Sequence, residues 1–559
     1  MKKKQLVALL MSAFMAAGTL AGCGSEPSAE ETLKQETSKD VTSKEVDASK
    51  TDVSQEKESE DVASTGETES EFTLPLTEKK ETLTMFLPAD SGFFQVYSDY
   101  NEGPFFQKLE EITNVHIEFE TPVSAEESFN LMIASGELPD IIGSPYLYPD
   151  GYDAAIDDGY YLDLTPYLDT CLSNYNKIRT SNVKFATDTL TDTGRAAAVW
   201  ALYTEPQGPW AGYQIRQDWL DELGLEMPTT FDELEEVLIA FRDKKGAYAP
   251  LALHSNGNDL YGMLSAGFGA YDAYMNVDGT VVCGFITEEW REYLKLMNRW
   301  YSEGLIDPDF MTRSNWQVDQ ELVTTGASGV WWAMYTMPAT YEATDENMVI
   351  QAMPSPKLNE DDQLHIRLQD NYDYVGVAIS AKSEKAELAM RWLDFFYTEA
   401  GSLFANYGTE GDTFNYDAEG NIVFTDKIMN NPDGLSVTQA MKTHLLVPNK
   451  IPSYYDWTRE LAIIPEKDVA FYDVWGAEDF KDDYILPVAL SYTSEEASER
   501  ASLAADIDTY FREATSQFII GVLDINGADW DTYVSTIEGM NVDRVVEITQ
   551  QALDRYLAR

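Results

Sequence analysis

The side chains best equipped for chemistry in this chain are aromatic and acidic rather than nucleophilic. There are 12 tryptophans and 32 tyrosines against four histidines and three cysteines. Many of the rings stand beside glycine or proline in predicted loops rather than on helical stripes. Rings so placed can stack on the flat C–H faces of a sugar, while Asp, Glu, Asn and Arg bind the flanking hydroxyls. The stacking candidates are Tyr203, Trp210, Trp331, Trp332, Tyr335, Tyr372, Tyr374 and Trp457, with Asp90, Asn371 and Glu410 as polar partners. Core packing competes for each ring taken alone. Trp290, Trp300 and Trp392 lie on helix stripes and are assigned to the core.

Motifs for bond-making chemistry are missing. The chain has no GxSxG, HExxH or CxxC and no Walker A glycine-lysine pair, and His116, His254, His365 and His444 are scattered without zinc spacing. A Ser-His-Asp site assembled from distant positions stays open, and carboxylate pairs are uninformative where acids are so abundant. No cofactor and no metal are expected. One calcium pattern competes with that expectation: NYDAEGNIVFTD sets Asn415, Asp417, Glu419, Gly420, Ile422 and Asp426 in EF-hand-like order. Its first ligand is Asn and its last Asp, where the loop wants Asp and a bidentate Glu. The favoured reading is a turn at Glu419-Gly420-Asn421 between two strands, with the Asp278-Gly279 turn before TVVCGF read alike.

The formal charge is -58, from 39 basic and 97 acidic residues. Such a surface repels phosphate backbones, which argues against nucleic acid, and it weighs less firmly against a polyanionic glycan. Residues 1–22 have the lysine-first, apolar, small-residue order of a signal peptide. Leu20-Ala21-Gly22-Cys23 resembles the bacterial lipobox, which implies lipidation at Cys23 and an anchored protein; ordinary secretion is the alternative. Residues 23–75 are dominated by Ser, Thr, Glu, Lys and Asp and are expected to form a disordered acidic tether. Cys171 and Cys283 would form one disulfide or remain two free thiols.

The remaining length is too great for one core and calls for two lobes. Thr82–Leu87, Val115–Phe119 and Asp140–Ile142 read as strands. Two helices separate them, one with Phe105, Phe106, Leu109 and Ile112 inward and one carrying Phe129, Met132 and Ile133 up to Gly136. That alternation predicts parallel α/β. Ligands bind such sheets at the carboxyl ends of the strands, here Asp90 and the Ser144-Pro145-Tyr146 turn. Thr230 and Glu233 spell a capping box ahead of the stripe Phe231, Leu234, Leu238 and Phe241. Further helices are predicted over 287–303, 494–516 and 542–558. YDYVGVAISAKSEKAELAMRWLDFFYTEAGSLFANYGTEGDTF, residues 372–414, predicts a strand at Val375–Ile379 and then a helix N-capped by Ser383 and ended by Gly401.

The wording of that last stretch resembles the extracellular solute-binding lipoproteins of ABC importers (family 1), in their large oligosaccharide-binding branch. There a "GV-I-S" strand precedes an "A-RWLD-FY-EG" helix and an "ANYG-EG" loop. "N-LMIASGELPDII", "GYYLDLTPYLD", "RQDWLDELGL-MPTTFDEL" and "GADWDTYVSTIEGM" are phrases of the same family, in order over residues 80–559. The resemblance implies an α/β, two-lobed, periplasmic-binding-protein-like clamshell of type II, each lobe a mixed sheet flanked by helices. Lobe one would take 76–211, lobe two 212–330, a return through Trp331 would occupy 331–383, and 384–559 would complete lobe two. The implied function is capture of an oligosaccharide between the lobes and delivery to the transmembrane subunits of an ABC permease, by a monomer anchored at the outer face of the cell membrane. An extracellular carbohydrate-active enzyme, or a same-fold binder of peptides or other small solutes, is the alternative. On this reading Trp331→Ala should weaken glycan binding without unfolding the protein.

Overall fold

The first predicted strand-helix-strand-helix-strand run folds as expected. In the computed structural model, which describes residues 72–559 except 205–207, 254–263, 314–316, 366–374, 447–449, 477–480 and 482, β1 (Glu81–Phe86) pairs in parallel with β2 (Val115–Glu120) and with β3 (Ile141–Gly143). The signal peptide, Cys23 and most of the tether, together with Asn371, Tyr372 and Tyr374, lie outside the described residues. Leu83, Met85 and Ile141 face one core while Phe86 and Ile142 face another. A sheet covered on both faces needs apolar residues at consecutive positions, which is why these strands read as runs rather than alternations. β4 (Val199–Trp200) and a later strand, Gly376–Ile379, complete the five-stranded sheet. Gly376–Ile379 is antiparallel to both neighbours, so the sheet is mixed.

β5 (Leu202–Tyr203) leaves this lobe, and β6 (Ala211–Arg216) opens the second. The helix Phe231–Ala240 starts from a complete capping box: Thr230 Oγ1 accepts from Glu233 N, and Glu233 Oε2 accepts from Thr230 N at 3.1 Å. Phe231, Leu234, Leu238 and Phe241 are all buried, as their spacing requires. Thr230→Ala is expected to cost about 1 kcal/mol in a denaturant titration with the fold otherwise intact. β7 (Tyr274–Val277) and β8 (Thr280–Cys283) form a hairpin whose two turn residues, Asp278 and Gly279, have φ of 51° and 84°. Both lie in the left-handed region a tight hairpin turn demands.

β9 (Val330–Met334) corrects the expected return. It pairs antiparallel with β6 over Ala211–Ile215, and β10 (Ile350–Ala352) pairs on the other side of β6. Leu251 bridges in parallel to Val330 and to Ile306, giving this second sheet its mixed character. The chain regains the first lobe only between Ala352 and Gly376, entering β11 (Gly376–Ile379). The following helix also packs there: Ala389, Met390, Trp392 and Leu393 join the core of Leu83 and Met85. The first part of the segment from 384, through Ile451, therefore belongs to lobe one rather than lobe two. That lobe is completed by Ser494–Ile519, Ala528–Gly539 and Val542–Leu557, whose Phe511, Phe518, Trp530 and Val545 share a core with Tyr213, Trp290 and Trp300. The chain thus passes between the lobes three times: between β5 and β6, between β10 and β11, and after Tyr455. Such passages are where clamshell closure is absorbed.

Local details of the 372–414 stretch also differ. The helix spans Ala386–Asp394 with Lys385 at its N-cap, while Ser383 Oγ accepts from Lys385 N and donates to Asp140 Oδ1. Gly401 ends nothing. It sits in the first turn of the next helix, Glu399–Tyr407, where a Cβ would meet the Phe395 carbonyl oxygen at 1.8 Å. Glycine is there because two backbones meet. β12 (Phe414–Tyr416) and β13 (Ile422–Phe424) form a hairpin. Asp417 Oδ1 closes its turn by accepting from Asn421 N at 2.7 Å and Glu419 N at 3.0 Å. The expected turn between two strands is present at Glu419-Gly420-Asn421. Cys171 borders the first core and Cys283 lies in the second, and both are free thiols.

Candidate functional site

The loops at the carboxyl ends of β1 and β3 point to one side of the first lobe. After β3, Ser144 adopts φ 54°, a conformation that a residue with a Cβ enters only when its surroundings hold it. Pro145 follows, its carbonyl accepting from Tyr161 Oη at 2.9 Å, and Tyr146 is left 63% exposed. Beneath it, Tyr152 meets Trp200 edge to face, with centroids 5.4 Å apart. Trp200, on β4, lies against β11, where a Cβ at Gly376 would come within 2.6 Å of the indole ring. The glycine of the "GV-I-S" strand thus makes room for a tryptophan.

Across from these rings runs Val488-Ala489-Leu490-Ser491, next to Arg559. Together with Asp188, Thr189, Leu190, Thr191 and Ala197 they enclose a cleft of about 290 Å³. That volume stands at the lower end of the range for small-ligand sites (about 300–1,000 Å³), room for part of an oligosaccharide. The far wall is carried by the second lobe, because Ser494–Ile519 and Val542–Leu557 are pinned there. Asn298 Nδ2 donates to the Phe518 carbonyl at 2.9 Å, and Gln550 Oε1 accepts from Val281 N at 2.7 Å.

The base of the cleft is closed by an ionic cluster between lobes. Asp192 accepts from Arg555 Nε at 3.0 Å and from Arg559 Nη2 at 2.7 Å, and Ser491 Oγ donates to it at 2.5 Å. Glu496 takes a second edge of Arg555 at 2.6 Å. Hydrogen bonds donated to Glu496 and then to Asp192 push the Arg555 guanidinium further into its charged form. Tyr556 Oη donates to Asp188 Oδ1 at 2.6 Å; burial first, then this carboxylate, push the phenol above its usual range, so it remains a donor. Burial opposes ionisation of the neighbouring Asp153, but hydrogen bonds from Thr193, Thr191 and Arg195 hold its carboxyl below the usual range.

The described predicted site residues separate into five groups. Tyr146 lines this cleft. Asp90 is spent: its Oδ1 accepts from Phe93 N at 2.8 Å, and the carboxylate pairs with Lys442 at 3.0 Å, tying the loop after β1 to the helix Val437–His444. Trp210, Trp332 and Tyr335 gather beside the first passage. Trp210 is edge-on to Trp332 at 5.6 Å, and its carbonyl accepts from Tyr335 N at 3.1 Å. Burial, then Glu460, Tyr472 and Asp468, push the Tyr335 phenol up to about 12. Tyr203 packs edge-on to Phe185, and Trp457 lies beside Tyr455 with the Arg459 guanidinium 5.8 Å from its ring. Trp331 is fully buried against Tyr341, and Glu410 is exposed at the β12–β13 hairpin. The structure does not bring Trp331 or Glu410 to the cleft. Sequence reasoning misses Tyr152, Trp200 and Asp192. Trp200 sits on a buried strand and so reads as core, and the glycine facing it, Gly376, is the available signal.

Comparison with known proteins identifies the family and the fold. A model of the bacterial extracellular solute-binding protein family matches residues 95–402. The fructooligosaccharide ABC transporter substrate-binding protein FusA of Streptococcus pneumoniae is 26% identical over 538 residues, covering 87% of this chain and 92% of that protein. Lipoprotein LipO of Bacillus subtilis is 25% identical over 495 residues, covering 83% and 91%. The crystal structure of the alginate-binding protein AlgQ2 without calcium ion superposes with a TM-score of 0.62 at 23% identity, covering 86% of this chain and 99% of that one. It shares the fold.

Proposed function

From the premise that the chain belongs to the bacterial extracellular solute-binding protein family, we propose that it captures an oligosaccharide in the cleft walled by Tyr146, Tyr152 and Trp200, and hands it to the transmembrane subunits of an ABC importer. The aromatic wall carries this reading. Exposed Tyr146 offers a ring face to sugar C–H surfaces, backed by the Tyr152–Trp200 pair that borders the same cleft. Thr189, Thr191 and Ser491 border the same space with hydroxyls. The ligand lies between walls from different lobes, so its binding energy favours the closed form, and closure is the signal a permease reads.

The protein acts as a monomer held at the outer membrane face through lipid on Cys23; the name of LipO supports the anchor. It binds and does not cleave. Glycoside hydrolysis needs an acid and a second carboxylate free to act on the bond. Asp188 and Asp192 are instead engaged with Tyr556 and with Arg555 and Arg559.

Calorimetric titration of the full-length chain in detergent against an oligosaccharide panel, followed by product analysis, tests the reading. Saturable binding with intact ligand is expected; turnover would make it an enzyme, and silence would favour peptides or other solutes. Tyr146→Ala should weaken the tightest sugar about tenfold. Its melting temperature should hold, because the ring is 63% exposed. Unchanged affinity would remove Tyr146 from the site.

A further inference from the structure

We infer that this cleft selects uncharged oligosaccharides and excludes those bearing uronate carboxylates. The inference rests on the oligosaccharide reading above and narrows it. The fold alone does not decide the matter, since the similar proteins include one named for fructooligosaccharide and one named for alginate, a polyuronate.

The deciding feature is the state of the cations around the cleft. A sugar carboxylate loses its water on entering and needs a cation or several N–H donors in return. Among the described residues lining the cleft, Arg559 is the cationic one. Its side chain is 2% exposed. Its Nε and Nη2 both donate to Asp192 Oδ1, and Nη2 also reaches the Ala489 carbonyl at 2.9 Å. Arg555 is divided between Asp192 and Glu496. Outside the wall, Lys184 pairs with Asp188 and Arg195 with Asp153 and Asp157. These four cations face five carboxylates, so none of them has charge to spare for a ligand. Arg179 stands behind Thr189, buried, and gives its guanidinium to the Ala186 carbonyl, Thr189 Oγ1 and Asn176 Oδ1. Among the described residues around the cleft every cation is thus already held, leaving none to receive a uronate, whereas a hydroxyl can donate to these carboxylates. A carboxylate that loses its water beside groups already paired is left uncompensated.

The test is calorimetry on the full-length chain in detergent with kestose, maltotriose and xylotriose set against trigalacturonate, its methyl ester, and trimannuronate. Saturable binding is expected within the neutral group, with the uronates weaker by about 100-fold or more. The methyl ester should bind more tightly than the free acid. Uronate affinity equal to or above the neutral sugars would overturn the inference while leaving an oligosaccharide binder in place. Silence from every sugar would remove the oligosaccharide reading and this inference with it. Asp192→Asn supplies a second readout, because it leaves Arg559 without a carboxylate partner while Arg555 keeps Glu496: trigalacturonate affinity should rise about tenfold. No rise, in a variant that melts as one folded unit, would count against the paired cations as the cause.

Discussion

Trp331→Ala is expected to destabilise the protein by about 3–5 kcal/mol, the range for deleting a buried tryptophan side chain. Trp331 is fully buried, and its ring stands edge-on to Tyr341 with centroids 5.8 Å apart. Its neighbours include Leu322, Val323, Ile350 and Trp475, drawn from several elements of the second lobe. The truncation would leave a cavity that so many fixed walls cannot collapse to fill. Urea unfolding should show the midpoint falling, while sugar affinity per folded molecule stays within about twofold, since the ring has no exposed face to lend a ligand. An unmoved midpoint with lost affinity would return Trp331 to the binding surface, where the sequence alone places it.

Asp192→Ala should cost about 2–3 kcal/mol and loosen the second lobe's C-terminal helix from the first lobe. Removing one partner of a buried ion pair typically costs about 3–5 kcal/mol because the other charge is left without compensation. Here the lower figure applies, since the side chains of Asp192 and Arg555 are 18% and 32% exposed and water screens what remains. Arg559 carries most of the loss, because its side chain is almost wholly buried. Amide exchange should quicken at the end of Val542–Leu557 and at Ser491 more than in the β6–β9 pairing. Uniform acceleration everywhere would mean that Asp192 stabilises the whole fold rather than this junction.

Much of the molecule is legible in the residues themselves. Phe231, Leu234, Leu238 and Phe241 repeat at helical spacing and are all buried behind the capping box that their sequence spells. Asp278-Gly279 announces a hairpin, and the apolar runs at β1 and β3 announce a parallel sheet covered on both faces. The order of family phrases along the chain leads to the same fold class. These features share a cause: they depend on residues within a few positions of each other, where periodicity and turn chemistry act directly.

The site is harder to read, and Trp331 and Trp332 show why. They are adjacent on β9, so they point to opposite faces of the sheet. One joins the core with Tyr341 and Trp475, the other the core with Tyr213 and Trp300. Alternation along a strand says that two faces exist, not whether both are covered, so the rings could be assigned equally well to a cleft. The same limit hides Asp192, whose partners Arg555 and Arg559 lie 363 and 367 residues away. What the sequence determined by itself was the set of elements, their caps and their order, because local sterics and hydrogen bonding act over one turn or one hairpin. Which rings stay exposed and which carboxylates meet which arginines was decided only when the lobes packed, because burial and charge pairing depend on neighbours that chain separation does not encode.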